Sequence, residues 1–184
     1  WQQRVDAAKL AGEKKLPRRP QNILVGQQRP GNLWAGVLHP IIGYGIRGTI
    51  WYQGEGNAAR AYQYDELFSL MIQEWRRAWG QGDFPFYWVQ LADYQEEVTQ
   101  PRESAWAELR AAQTATLALP NTGQAVIYDV GEGRDIHPRD KQTVAKRLAR
   151  IALARDYDKA ISYLSSSFDT MEIRGDAAIL SFKD

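Results

Sequence analysis

Apolar side chains along the middle of the chain alternate between two spacings. Thr49-Ile50-Trp51-Tyr52 is a short β-branched and aromatic run bounded by Gly48 and Gly54, and it predicts a buried strand. Positions 64, 67, 68, 71, 72, 75 and 79 are then apolar at the spacing of one helix face. Asn57 is the expected N-cap of that helix and Gly80 its stop. Phe84 to Ala92 predicts a second buried strand, with Pro85 near its start, where a missing N–H does little harm. After a polar loop containing Pro101, the residues Trp106, Leu109, Ala112, Gln113, Thr116 and Leu117 share one face of a second helix. Ala125-Val126-Ile127-Tyr128 predicts a third strand. Val144, Leu148, Ile151 and Ala152 mark a third helix, opened by Pro138 in its first turn.

Three strand–helix alternations at intervals of about 35–40 residues argue for βαβ units and an α/β fold with a parallel sheet. The texture changes beyond Tyr157. Ser165-Ser166-Ser167 reads as a loop, and Met171–Arg174 with Ala178–Phe182 across Gly175-Asp176 reads as a β-hairpin. A hairpin does not stand alone in water, so residues 158–184 are expected to open a β-rich domain. At the other end, residues 1–32 are rich in basic side chains and Gln and are broken by Pro17, Pro20 and Pro30. Without interleaved aromatics to stack on bases, they are expected to be a solvated connector rather than a nucleic-acid arm. The expected division is therefore a connector over 1–32, an α/β domain over 33–157 and the start of a β-rich domain over 158–184.

Composition removes several kinds of chemistry. The 184 residues carry 23 basic and 22 acidic side chains, a net charge of +1 that gives no global electrostatic reason for a nucleic-acid partner. With 44% hydrophobic and 24% charged residues, the chain has the make-up of a packed globular protein. It has no cysteine, which excludes disulfide scaffolds, thiolate metal sites and cysteine nucleophiles. No apolar run approaches the roughly 18 residues of a membrane span. Histidine occurs twice, as His39 and His137. His39 has no carboxylate close in sequence and reads as structural.

In an open parallel sheet, binding groups gather beyond the carboxyl ends of the strands. Two segments of unusual composition fall there. One is Gln53-Gly54-Glu55-Gly56-Asn57 after the first strand, and the other is Asp129–Pro138 after the third. A residue before proline is pushed to the extended region, where i and i+2 share a side. Asp135 is therefore expected beside His137, able to accept its ring N–H and leave the other nitrogen as a base. A surface-loop histidine whose neighbouring Asp starts a helix is the plainer alternative. The Gln53 and Asn57 amides can offer donors to a developing oxyanion, the glycines permit close approach, and Glu55 can position the amides or bind a substrate hydroxyl. A strand-to-helix turn capped by Asn57 is the plainer alternative there. A metal site built from Asp129, Glu132, Asp135 and His137 lacks a second nearby histidine. Gly43-Tyr44-Gly45-Ile46-Arg47-Gly48 has dinucleotide-motif spacing, but its strand comes after the glycines rather than before them.

Taken together, Trp51-Tyr52-Gln53-Gly54-Glu55-Gly56-Asn57, Leu109-Arg110-Ala111-Ala112-Gln113 and Asp135-Ile136-His137-Pro138-Arg139-Asp140-Lys141-Gln142, with Asn32–Pro40 upstream, resemble the sialate O-acetylesterase family of the SGNH hydrolases. The resemblance runs from about residue 30 to 155. It implies a flavodoxin-like three-layer fold, hydrolysis of acetyl esters on sialic acid or other glycans without a cofactor, and a secreted, periplasmic or lysosomal setting. It also implies a Ser nucleophile, His137 as base, Asp135 as its partner and Gln53 or Asn57 near the oxyanion. The superfamily spaces its pair as D-x-x-H, whereas Asp135 and His137 are two apart. The family's G-Q-S-N-type turn is absent around Ser69, Ser104, Ser162, Ser165, Ser166, Ser167 and Ser181. The nucleophile is therefore expected upstream of these residues, which would be the C-terminal part of a catalytic domain, inactive alone and able to pair with the N-terminal part. The competing reading is a non-catalytic carbohydrate-binding module that stacks sugars on Trp51, Tyr52, Trp88 and Tyr94.

Overall fold

The computed structural model describes residues 1–20, 22, 24–26, 29–95, 97–100 and 102–183. The chain divides into two compact units, Trp1–Tyr44 and Gly45–Asp184. In the first, Gln2–Leu10 forms helix α1 with Val5 and Ala8 buried. The Trp1 indole Nε1 donates to the Pro17 carbonyl at 2.9 Å. The expected connector thus carries a helix. Its Gln, Arg, Ala, Lys and Leu residues are good helix formers, and the prolines farther along obscure that local preference. Gln21, Ile23, Gln27 and Gln28 of the same stretch lie outside the described residues, as does Pro101 of the predicted polar loop.

In the second unit, strands β1 (Thr49–Trp51), β2 (Phe86–Val89) and β3 (Thr122–Ala125) form a parallel sheet in the order β1-β2-β3. Helix α2 spans Ala61–Trp79 and stops at Gly80, whose φ of 65° is the left-handed conformation of a C-cap. Helices α3 (Ala105–Ala115) and α4 (Lys141–Asp156) follow β2 and β3. Alternation along β2 sorts its side chains to two faces. Phe86 and Trp88 meet Phe68 of α2 edge-on at ring separations of 6.2 and 5.1 Å. Tyr87 and Val89 pack instead with Val144, Leu148 and Ile151 of α4. Helices on both faces of a parallel sheet make the three-layer α/β arrangement expected from the alternation.

Four local expectations shift. The third strand lies at Thr122–Ala125, three residues before the apolar run that suggested it. A Cβ on Gly123 would stand 2.9 Å from the Tyr87 ring and 3.0 Å from Ile151 Cγ2, so α4 packs on the sheet where the strand lacks a side chain. Val126 and Ile127 continue beyond the ladder, with Ile127 fully buried. Asn57 does not cap α2. It sits in a 3₁₀ segment, Glu55–Arg60, that precedes the helix. Pro138 does not open α4, which begins at Lys141 and is capped by Asp140, whose carboxylate accepts from the Thr143 N–H at 2.9 Å. Leu117 leaves the buried face of α3 because the helix tightens into a 3₁₀ turn at Thr116–Ala118.

Arg76 of α2 ties down the amino ends of the strands. It is 5% exposed and donates to the carbonyls of Phe84, Pro120 and Asn121. The hairpin is present as β4 (Ser167–Arg174) and β5 (Ala177–Lys183), antiparallel with a register shift between Phe168 and Thr170. Its cross-strand partners Phe168–Phe182 and Met171–Leu180 are all exposed. Among the described residues, no helix is long and apolar enough to cross a membrane.

Candidate active site

Past Trp51, the first strand turns at Gln53-Gly54 into the 3₁₀ segment. Gly54 is buried with φ 149° and ψ −22°, a region that side-chain-bearing residues avoid. A Cβ there would lie 3.0 Å from Leu109 Cδ2 and 3.3 Å from Gln113 Nε2. The turn closes with the Asn57 N–H donating to the Gly54 carbonyl at 2.8 Å. Gln53 Nε2 donates to Asn57 Oδ1 at 2.8 Å, and the Tyr64 hydroxyl donates to Gln53 Oε1 at 3.1 Å. Burial pushes the Tyr64 phenol up to about 12, so it remains a proton donor at neutral pH. With the acceptor oxygens of both amides occupied, their orientation is fixed. Asn57 Nδ2 and the second Nε2 hydrogen of Gln53 have no acceptor among the described residues. Glu55 begins the 3₁₀ segment, half-buried, and its charge adds to the burial that raises the Tyr52 phenol.

The loop after β3 carries the other cluster. Asp135 Oδ1 accepts the backbone N–H of His137 at 2.9 Å and lies 3.8 Å from His137 Nδ1. The pair is close, but an Asx turn with bends at Ile136 and His137 brings it together rather than an extended segment, the carboxylate is bonded to the backbone, and the ring stands beyond hydrogen-bond length. The His137 side chain is 84% exposed, while Pro138 behind it is buried and anchors the loop. The other acids of this segment are engaged elsewhere. Asp129 takes a two-pronged contact from Arg147, both bonds at 2.6 Å, which holds its carboxyl below the usual carboxylate range. Glu132 faces Arg139 at 3.7 Å. Among the described residues, no three His, Cys, Asp or Glu side chains come together as metal ligands, so Asp129, Glu132, Asp135 and His137 do not form such a site.

The two clusters lie in the segments that follow β1 and β3, and the contacts around them join those segments to each other, to the segment after β2 and to α3. Lys141 Nζ at the start of α4 sits 5.1 Å from the centre of the Tyr52 ring at the end of β1. The Arg110 guanidinium stacks 4.6 Å from the centre of the Tyr128 ring. Gly131 passes so close to the Asp93 backbone that a Cβ would not fit. The Gln95 N–H donates to the Gly133 carbonyl at 2.9 Å. A recess of about 520 Å³ opens between the segments that follow β2 and β3, lined by Asp93, Gln95, Glu97, Gly133 and Arg134 and by none of Gln53, Asn57, Asp135 and His137.

Of the aromatics expected to form a sugar platform in the competing reading, Trp88 is core and Trp51, Tyr52 and Tyr94 are half-buried. Trp88 is fully buried with its Nε1 bonded to Gln124 Oε1 at 2.9 Å. Trp51 packs edge-on against Trp75 at 5.6 Å, and the Tyr94 ring lies tilted against Trp106 at 5.0 Å. Tyr64 falls on an apolar helix face in the sequence, and Gln113 on another and in the Leu109–Gln113 motif, with no site role expected of either, whereas both bond to Gln53. For Gln113 the signal was available, because an amide in the middle of an otherwise apolar face needs buried polar partners.

Residues 38–154 match the family model described as carbohydrate esterase, sialic acid-specific acetylesterase. The sialate O-acetylesterase of Mus musculus is 37% identical over 157 residues, covering 74% of this chain and 28% of the mouse protein. That of Homo sapiens is 33% identical over 168 residues, covering 81% of this chain and 32% of the human protein. The crystal structure of a carbohydrate acetylesterase from Xanthomonas citri superposes with a TM-score of 0.74 at 42% identity, covering 82% of this chain and 35% of that one. The chain thus spans about a third of the length of these relatives. With that family match over most of the α/β unit, the chain belongs to the sialic acid-specific acetylesterase family of carbohydrate esterases.

Proposed function

We propose that these residues form the histidine-bearing side of the active site of a carbohydrate O-acetylesterase, with the serine nucleophile supplied by a part of the protein N-terminal to them. What supports this reading is that an amide pair, Gln53 bonded to Asn57, and an Asp135–His137 pair 3.8 Å apart lie in the segments that follow two strands of the same parallel sheet. Of the serines here, Ser104 caps α3, Ser69 on α2 lies 3.5 Å from Thr116 Oγ1, and the others come after α4 in the chain.

In the proposed reaction, His137 takes the proton of the serine hydroxyl as its oxygen attacks the acetyl carbonyl carbon. The oxyanion that forms accepts from Asn57 Nδ2, with Gln53 Nε2 beside it. The bond to the sugar oxygen then breaks, and that oxygen leaves with the proton from His137. Water, deprotonated by the same imidazole, attacks the acetyl-enzyme, and acetate departs as serine regains its proton. Asp135 is proposed to hold the imidazolium that forms in each half. The charged and amide-bearing recess beside Gly133 suits a hydroxyl-rich sugar better than an apolar acyl chain. β1 lies at an edge of the sheet among the described residues, which leaves one row of its backbone groups open and supports pairing with the N-terminal part of the protein.

The test is release of acetate from O-acetylated sialic acid and from O-acetylated neutral glycans by the complete protein. Turnover with either substrate is expected, together with inactivation by a serine-directed phosphonate and no turnover by residues 1–184 alone. Sugar binding without acetate release would replace the esterase by a binding module.

A further inference from the structure

Gln113 is a fully buried amide on α3, the helix that follows β2. The β1–β2 ladder ends at Trp51 opposite Trp88, and the strands part beyond it. There the Leu91 N–H and the carbonyls of Val89 and Gln53 no longer serve one another. Gln113 takes all three. Its Oε1 accepts from the Leu91 N–H at 2.9 Å, and its Nε2 donates to the Val89 and Gln53 carbonyls, each at 3.3 Å. One turn earlier on the same face, Leu109 closes over Gly54. The amide thus acts as a side-chain rung that fixes the opening between two parallel strands. A buried polar group left without a partner is costly, so this amide also carries structural weight.

The place of attachment adds more than that. The Gln53 carbonyl accepts from Gln113 Nε2 at 3.3 Å and lies 3.3 Å from the Tyr64 hydroxyl, which is nearer to Gln53 Oε1 at 3.1 Å, so Gln113 is the partner that can hold the carbonyl while Tyr64 serves the side chain. We propose that Gln113 is a positioning residue, whose grip on the Gln53 carbonyl keeps the Gln53–Asn57 amide couple aimed at the reacting carbonyl. This rests on the esterase reading above.

The experiment uses the complete protein and p-nitrophenyl acetate, with active sites counted by phosphonate titration. Gln113→Met keeps the length of the side chain and removes all three bonds. Gln113→Glu keeps the acceptor for Leu91 and sets a carboxylate oxygen against the Gln53 and Val89 carbonyls. Both are expected to lower kcat about 10–100-fold with KM within about threefold, as misaimed transition-state contacts do. Ile72→Val, a buried truncation on α2, is expected to lower the unfolding midpoint while leaving kcat unchanged. A folded Gln113→Met with near-normal kcat, in a protein that His137→Ala still inactivates, overturns this inference and leaves the esterase reading standing. Failure of both Gln113 variants to fold while Ile72→Val folds makes the residue structural only and likewise overturns it. A wild-type protein without turnover overturns both readings together.

Discussion

Replacing His137 by alanine in the complete protein is expected to lower kcat for acetyl-ester hydrolysis by about 10⁴–10⁶-fold, the range seen when the base of a triad is removed. The loss is large because one imidazole serves both halves of the proposed reaction. Without it, serine attacks as a weak neutral hydroxyl and the sugar must leave without a proton. The structure also makes this substitution clean. The ring is 84% exposed, and the bond that shapes the loop runs from the His137 backbone N–H to Asp135 Oδ1 and survives in alanine. Stability is therefore expected to change by no more than about 0.5 kcal/mol. The paired measurement is kcat with thermal unfolding, and near-normal turnover would remove His137 from the mechanism. Asp135→Ala is a poorer probe, since it removes the backbone acceptor along with the carboxylate. Asp135→Asn keeps an oxygen for the backbone and isolates the charge.

Replacing Asn57 by alanine is expected to lower kcat about 10²–10³-fold with KM little changed, the usual cost of one oxyanion donor. Asn57 also receives the Gln53 amide, so alanine alone mixes two effects. Asn57→Asp separates them. It keeps an oxygen for Gln53 Nε2 and replaces the outward Nδ2 donor by an acceptor, so it is expected to lose at least as much activity as alanine. Near-normal kcat in Asn57→Asp would mean that Asn57 only orients Gln53, and the oxyanion contact would pass to Gln53 Nε2. Measurement of kcat and KM for both variants beside wild type decides between the two amides.

These expectations draw on sequence and structure in unequal parts. The layer order was legible because Thr49–Trp51 and Phe86–Val89 are dense β-branched and aromatic runs, and because α2 repeats its apolar positions over five turns and ends at a glycine. The place of β3 was not. Its register follows from how closely α4 packs at Gly123, a tertiary fact that no local pattern carries. The parallel-sheet rule put the segments carrying Gln53, Asn57, Asp135 and His137 after strand ends, but the extended i, i+2 placement expected before Pro138 is an Asx turn instead. What sequence could not supply was the wiring. The Asp135 carboxylate binds backbone rather than ring, and the amides of Gln53 and Asn57 bind each other. Tyr64 and Gln113 reach Gln53 across 11 and 60 positions, and only folding sets such contacts.

The central claim is that the imidazole and the amide couple face one reacting carbon from two loops of the same edge. A crystal structure of the complete protein carrying a serine-directed phosphonate tests it most directly. The account predicts the adduct on a serine N-terminal to these residues, His137 Nε2 within about 3 Å of that serine oxygen, and a phosphonyl oxygen accepting from Asn57 Nδ2. An adduct with the His137 ring turned to solvent, or with its phosphonyl oxygen held by groups other than the Gln53 and Asn57 amides, would contradict it.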